Sequence, residues 1–508
     1  MKKHLLIFFS INIFFFFFIT NNIGYFEAPD SIAHFRRSIE LSIPKTKLVS
    51  TKLNNKIKGL SPTPKALVIA ENIHKDNWEL QLKTNLRKKE GLEKLKPLQK
   101  QIKDILMSDK IKNVFNEINT SEETSATTLT SYSGMNYLPQ ILAIKFANFL
   151  NLNLDITYNF ARNSNKVLLF LIIAYCTKLV NENILITPLY CLFYISLPTS
   201  LFLFSSISGD PGIIAGIIYL TILIDKHSHN SYLQQSKNKN SKIIFELFFA
   251  IIALAAVMSK SAYLPLGIVL GFVYLFYLNK NNFRSIKYIF FTSFSLTSYL
   301  CIKWINYVSE SAIEFFRLVN PSINPELALL QVKTFSFTFI KAIFQTAFKE
   351  LFFWIRQAIG VFGPVNNKWL MPEFLYWIIF LISFFILIKP ILLILSSKIN
   401  TLKFHSLSQI LTKFSPVLSI TLALGLSLYL LFGSLWTVWT PSGSEIVWGI
   451  QGRYFIPYLP ICILLLSLLI TEIRSLSRIN IQFFNKRVLL IGILFNLLFF
   501  YINIYYYY

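Results

Sequence analysis

The sequence predicts an all-α, polytopic helical membrane protein that crosses the bilayer about eleven times and carries a large first extracytoplasmic loop. Three observations predict it. Hydrophobic residues fill 54% of the 508 positions and charged residues only 15%. The apolar residues come in long runs instead of the short alternations of a soluble core. Lys and Arg gather between those runs. A water-soluble enzyme is excluded, and the net charge of +24 points to anionic lipid headgroups, not to nucleic acid.

Taken in order, residues 1–24 join a basic flank to an apolar stretch, and Asn21-Asn22-Ile23-Gly24 offers no small-x-small cleavage site, so an uncleaved first span is expected. Further apolar runs lie near 137–150, 166–181, 185–207, 211–225, 243–258, 262–279, 288–307, 350–363, 372–395, 415–437, 455–471 and 488–504. Counting each as a span would place the basic loops 227–242 and 279–287 outside, against the positive-inside tendency. The 137–150 run carries Pro139, Gln140 and Lys145 and is short for a hydrocarbon layer of roughly 30 Å, so it reads as an amphipathic helix on the outer surface. The 350–363 run, interrupted by Arg356 and Gln357, is treated likewise. The basic stretches 226–242, 279–287, 398–413 and 472–487 then all fall in the cytoplasm with the N-terminus. The resulting division is a first span at 1–24, an extracytoplasmic loop with surface helices at 25–165, spans two to seven at 166–307, a second outer loop at 308–371, and spans eight to eleven at 372–508.

Within the first loop, Pro97 suits the first turn of a helix whose Leu98, Ile102, Ile105 and Leu106 share one face. A membrane-lying helix and a helix packed in a small soluble subdomain both satisfy that pattern. The cysteines Cys176, Cys191, Cys301 and Cys462 sit inside apolar runs without CxxC spacing and read as buried hydrophobes. No internal repeat or inverted pair of halves is found.

Chemistry concentrates in a few turns. Glu27-Ala28-Pro29-Asp30-Ser31-Ile32-Ala33-His34-Phe35-Arg36-Arg37 follows the first span, and Asp30 and His34 share a face if a helix begins there. Capping by Asp30 and headgroup contact by Arg36 are the structural alternatives. Asp210 stands at the outer end of a span in Ser208-Gly209-Asp210-Pro211-Gly212, a turn that would suit it without any function. Lys260, near Tyr263, and Arg453, beside Tyr454, stand at two more outer turns and suit a lipid-linked phosphate, or headgroups taken singly. Asp225, His227 and His229 read as solvated loop, and Glu246 as an interfacial partner of Lys242.

Several stretches together resemble a family of bacterial polytopic membrane proteins known as domain of unknown function 2142. They are Pro29-Asp30 with His34-Phe35-Arg36, Tyr137-Leu138-Pro139-Gln140, Ala161-Arg162, Leu197-Pro198 through Ser208 and Asp210, Lys260 with Tyr263 and Pro265, and Gln451-Gly452-Arg453-Tyr454. The family is similar, at a distance, to the GT-C glycosyltransferases, which take sugar from a polyprenyl-phosphate donor. The resemblance implies residence in the bacterial inner membrane and a catalytic set of Asp30, His34 and Asp210. It implies substrate contacts from Arg36, Lys260, Tyr263, Arg453 and Tyr454. Ser31 stands where the family tends to have a second acid, and Gly209 where it has a proline. A cofactor is left unassigned, a divalent metal being the one the acids would accept. The expected partners are membrane lipid, a lipid-linked sugar donor and a glycan or lipid acceptor, with a flippase for lipid-linked glycans as the rival.

Overall fold

The computed structural model describes residues 31–42, 89–120, 134–181, 187–228, 239–280, 284–319, 322–360 and 407–472, with isolated positions elsewhere, mainly between 52 and 73. Apart from isolated positions in the first two, the expected spans at 1–24, 372–395 and 488–504 lie outside these residues, as does Asp30.

The chain forms α1 (Ser31–Ser42), a two-residue antiparallel ladder of β1 (Lys52–Leu53) and β2 (Lys56–Ile57), then α2 (Lys89–Ser108) and α3 (Ile111–Thr120). A 3-10 turn at Gly134–Tyr137 leads into α4 (Leu138–Phe149), and α5 (Leu154–Asn181) follows. Pro139 opens α4 in the first turn, where a missing N–H costs nothing, and Asn151 at φ 52° breaks away from the helix beyond its end. These helices share one small core of Phe35, Ile102, Leu106, Val114, Ile144 and Tyr158. The apolar face of α2 is therefore buried in a subdomain and not laid on a membrane. Pro97 is inside α2, not at its start, because the helix begins eight residues earlier at Lys89. The far side of α4 exposes Leu142, Phe146 and Phe149. At about 18 Å, α4 is too short to cross the roughly 30 Å hydrocarbon layer.

The main body contains α6 (Thr187–Ile195), α7 (Pro198–Phe204), α8 (Asp210–Ser228), α9 (Lys239–Met258), α10 (Leu264–Lys280), α11 (Arg284–Val319), α12 (Pro325–Lys333), α13 (Phe337–Gly360), α14 (Leu407–Val438) and α15 (Tyr458–Glu472). Among the described residues, Ser261–Asn279, Phe414–Val438 and Gly452–Leu469 are long and apolar enough to cross a membrane. The pair α12 and α13, bent by 92°, passes the same test when taken together. The apolar run at 185–207, expected as one span, is broken at Ser196-Leu197 ahead of Pro198, which has no N–H to continue the helix. The stretch 308–371, expected as a loop, holds the end of α11, all of α12 and an α13 that starts well before the expected surface helix. Phe337, Phe344, Phe348 and Phe352 line the exposed side of α13 beside Lys341 and Lys349.

Helix α8 is the hub, packed against α5, α9, α10 and α15, and every residue from Pro211 to Ser228 is buried except Tyr219. Close approach requires its glycines. A Cβ on Gly212 would lie 2.8 Å from the Asn136 carbonyl oxygen.

The far end of α8 contradicts its sequence reading. Asp225 and His227 are not solvated: both are fully buried, as is most of Lys226. Glu246 of α9 pairs with Lys226 and, at 3.4 Å, with His227 Nε2. Ser467 of α15 donates to Asp225, and the His227 ring meets Tyr274 of α10 edge to face at 5.3 Å. His229 and the side chain of Lys242, the partner expected for Glu246, lie outside the described residues.

Candidate functional site

At the opposite end of α8, turns that are far apart in sequence converge. Asp210 opens the helix, where a carboxylate meets the partial positive charge of the free N–H groups. Its Oδ1 lies 3.6 Å from Lys260 Nζ and its Oδ2 3.9 Å from Arg453 Nε, all three side chains being largely covered. Lys260 comes from the turn between α9 and α10, and Arg453 from the 3-10 turn Gly452–Phe455 that precedes α15.

The two aromatic residues singled out by sequence stand in the same group. The Lys260 ammonium is 4.6 Å from the Tyr454 ring centre and 5.4 Å from that of Tyr263, while the Arg453 guanidinium carbon is 5.4 Å from Tyr454. The Tyr263 hydroxyl donates to the Tyr454 carbonyl at 2.8 Å, tying the two turns together. Ser427 of α14 reaches Tyr458 at 3.0 Å and the Ala262 carbonyl, which braces the Lys260 turn from behind.

The Arg453 turn is pressed onto α13 in a way that only glycine permits. The Gly452 N–H donates to Gln357 Oε1 at 2.6 Å, and a Cβ there would sit 2.1 Å from the Trp354 carbonyl oxygen. Thr199 of α7 also donates to the Gln357 carbonyl at 2.7 Å. Gln357, which interrupts an apolar run in the sequence, is thus a bracket for the site.

The fourth wall comes from the first-loop subdomain. His34 Nδ1 is 2.6 Å from the Tyr137 hydroxyl, and Asn136 Oδ1 accepts a hydrogen bond from Ser259, the neighbour of Lys260. Asn136 is fully buried, and its side-chain nitrogen has no hydrogen-bond partner among the described residues. Gln140 Nε2 donates to the Ser208 carbonyl at 2.8 Å and holds the turn ahead of Asp210. Asn136 and Ser259 escaped sequence reasoning, since neither belongs to a recognisable motif. The one available signal was their position at helix ends beside Tyr137 and Lys260.

Arg36 is placed differently. It is buried on α1, with Nε 3.1 Å from Glu40 Oε1, and Arg37 Nη1 is 3.4 Å from Glu40 Oε2. Burial, only partly offset by Glu40 and Tyr137, pushes the Arg37 guanidinium below its ordinary range.

Asp210 stands ahead of the apolar stretch of its helix, and burial would raise its carboxyl. Lys260 first, then Arg453 and His34, outweigh burial and hold it below the usual carboxylate range. Among the described residues two cations face this one acid, an arrangement that suits an anion. No set of three or more His, Cys, Asp or Glu residues able to hold a metal gathers among the described residues, and the charged groups described beside Asp210 are cations.

The long apolar helices and the buried polar cluster capping one end of their hub define a polytopic helical membrane protein. The family model for a predicted membrane protein, domain of unknown function 2142 (DUF2142), matches residues 13–462, and the chain belongs to that family. No curated protein and no solved structure matches the chain.

Proposed function

We propose that the protein is a membrane glycosyltransferase that moves sugar from a polyprenyl-phosphate donor to an extracytoplasmic glycan or lipid acceptor, working in the bacterial inner membrane with its N-terminus in the cytoplasm. The observation that carries the reading is the convergence of Lys260 and Arg453 on Asp210 between the rings of Tyr263 and Tyr454. A positive, partly covered pair flanked by aromatic faces is suited to a phosphate carried on a lipid.

In this reading, the acceptor hydroxyl forms a bond to the anomeric carbon as the bond from that carbon to the phosphate oxygen breaks. The hydroxyl proton passes to Asp30, the acid implied by resemblance, and the electron pair leaves with the polyprenyl phosphate. Lys260 and Arg453 stabilise that leaving group. Asp210, with its carboxyl held low, is a poor proton acceptor and serves instead to aim the two cations. His34, fixed by Tyr137, borders the acceptor side.

The test is transfer of labelled sugar from polyprenyl phosphate in membranes. Lys260→Ala and Arg453→Ala should each lower the rate by about 10²- to 10³-fold. Full activity in Asp30→Asn removes the assigned base, and full activity in both cation variants removes the reading. A flippase for lipid-linked glycans is the rival, favoured by the buried ionisable cluster around Glu246 at the other end of α8. It predicts translocation of the lipid-linked sugar with its chemistry unchanged.

A further inference from the structure

A cavity separate from the Asp210 cluster opens where α12, the start of α13 and the connection between α14 and α15 meet. Its volume is about 190 Å³. That is smaller than the roughly 300–1,000 Å³ of pockets for drug-sized ligands and enough for one pyranose ring.

The lining has a specific chemistry. Gln331 and Gln345 are amides able to donate and accept, Thr338 and Thr440 are hydroxyls, and Lys341 and Glu445 contribute one charge of each sign. The charges cancel, so the pocket does not select for a net charge on its occupant. Gln331 and Thr440 are already engaged: the Gln331 oxygen accepts from Trp436 Nε1 at 2.9 Å, and Thr440 Oγ1 donates to the Leu435 carbonyl and accepts from the Trp448 backbone N–H, each at 3.1 Å. Those bonds hold the wall in place. The side chains of Thr338, Lys341 and Gln345 remain to meet a ligand. Trp436 supplies the aromatic ring of the lining, and Trp448, outside it, donates its indole N–H to Ser444 of the wall at 3.1 Å. The lining also includes Leu327, Ala328, Trp436 and Pro441, so a neutral ring that joins hydroxyls to an apolar face, as a sugar does, matches it better than a phosphate.

The cavity is tied to the cluster by one rigid element. The connection carrying Glu445 runs along α13, with the Val447 N–H bonded to Thr346 Oγ1 at 2.7 Å and the Gly452 N–H bonded to Gln357. From Gln345 to Gln357 along the helix is about 18 Å. A ring held in the cavity is therefore too far away to be the one that reacts at Arg453.

We propose that this cavity is a binding subsite for a neutral sugar ring, and that it holds a ring of the glycan acceptor remote from the reacting end. The sugar assignment stands on the cavity; its role as acceptor subsite rests on the glycosyl-transfer reading. The test is saturation-transfer NMR on the full chain in nanodiscs, with short N-acetylglucosamine and glucose oligomers in one arm and the same sugars as glycolipid headgroups in the disc in the other. Wild type should take up saturation in at least one arm, and that arm names the source. Gln345→Ala should weaken it about tenfold, and Thr338→Phe, which fills the cavity, should abolish it. No response in either arm, or a response unchanged in both variants, overturns the proposal. Lys260→Ala separates the two readings: it should keep sugar binding while losing transfer. Sugar binding by a wild-type chain that transfers nothing would defeat the enzyme and leave the subsite standing.

Discussion

Replacing Glu246 by Gln should destabilise the protein more than any single surface change, and the reason is electrostatic. The Glu246 carboxylate faces the Lys226 ammonium and the His227 ring, and the three side chains are each at most 10% exposed. Removing one partner of a buried pair leaves the other charge poorly compensated, at a cost of about 3–5 kcal/mol, whereas replacing both by apolar groups of similar volume is often neutral or stabilising. Glu246→Gln is therefore expected to lower the unfolding midpoint sharply. The double variant Lys226→Met with Glu246→Leu should recover most of the loss. Cys176, Cys191 and Cys301 are free and buried, so a thiol-reactive fluorophore added to detergent-solubilised protein reports unfolding directly. A single variant as stable as wild type, or a double variant no better than the single, would refute the claim that this pair is buried and mutually dependent.

Gly452→Ala should abolish transfer and lower the unfolding midpoint, because its Cβ collides with the Trp354 carbonyl and the Ala358 nitrogen and must push the Arg453 turn off α13; label transfer and the unfolding midpoint measured together check it. Tyr137→Phe removes the hydroxyl bonded to His34 and should cost about 0.5–1.5 kcal/mol in kcat/KM, a loss of roughly two- to tenfold. The Asp210 carboxyl is held low, so its ion pairs persist at neutral pH and are lost only as pH falls through that lowered value; the rate profile between about pH 5 and 8 should contain no limb that disappears in Asp210→Asn. Chelation with EDTA should leave transfer unchanged, since the neighbours of Asp210 are cations; a loss restored by magnesium or manganese would contradict this.

The cluster was legible in the sequence because its members sit at turns. Asp210, Lys260 and Arg453 each occupy a short polar break between apolar runs, and the charge rule assigned all three breaks to one side. The structure brings them into one group. What the sequence hid were partners chosen by packing. Local helix spacing offered Lys242 to Glu246, while the fold supplies Lys226 and His227 from an antiparallel neighbour. His34 finds Tyr137 a hundred residues away, a pairing that no periodicity encodes. The charges that broke up the apolar pattern of 337–360 likewise concealed a continuous helix, because Lys341 and Lys349 lie on its exposed face and Gln357 holds Gly452.

Helix α8 fixes a distance. Its first residue is anchored by Lys260 and Arg453, and Asp225 and Lys226 near its last turn are anchored by Ser467 and Glu246. Fifteen residues of helix separate Asp210 from Asp225, about 22 Å. That is about 8 Å less than a bilayer core of roughly 30 Å, and because α8 is covered on nearly every side its anchored ends meet other helices instead of lipid. The separation of the Asp210 and Asp225 ends is therefore set by the helices packed on α8, namely α5, α9, α10 and α15, and not by the thickness of the surrounding lipid.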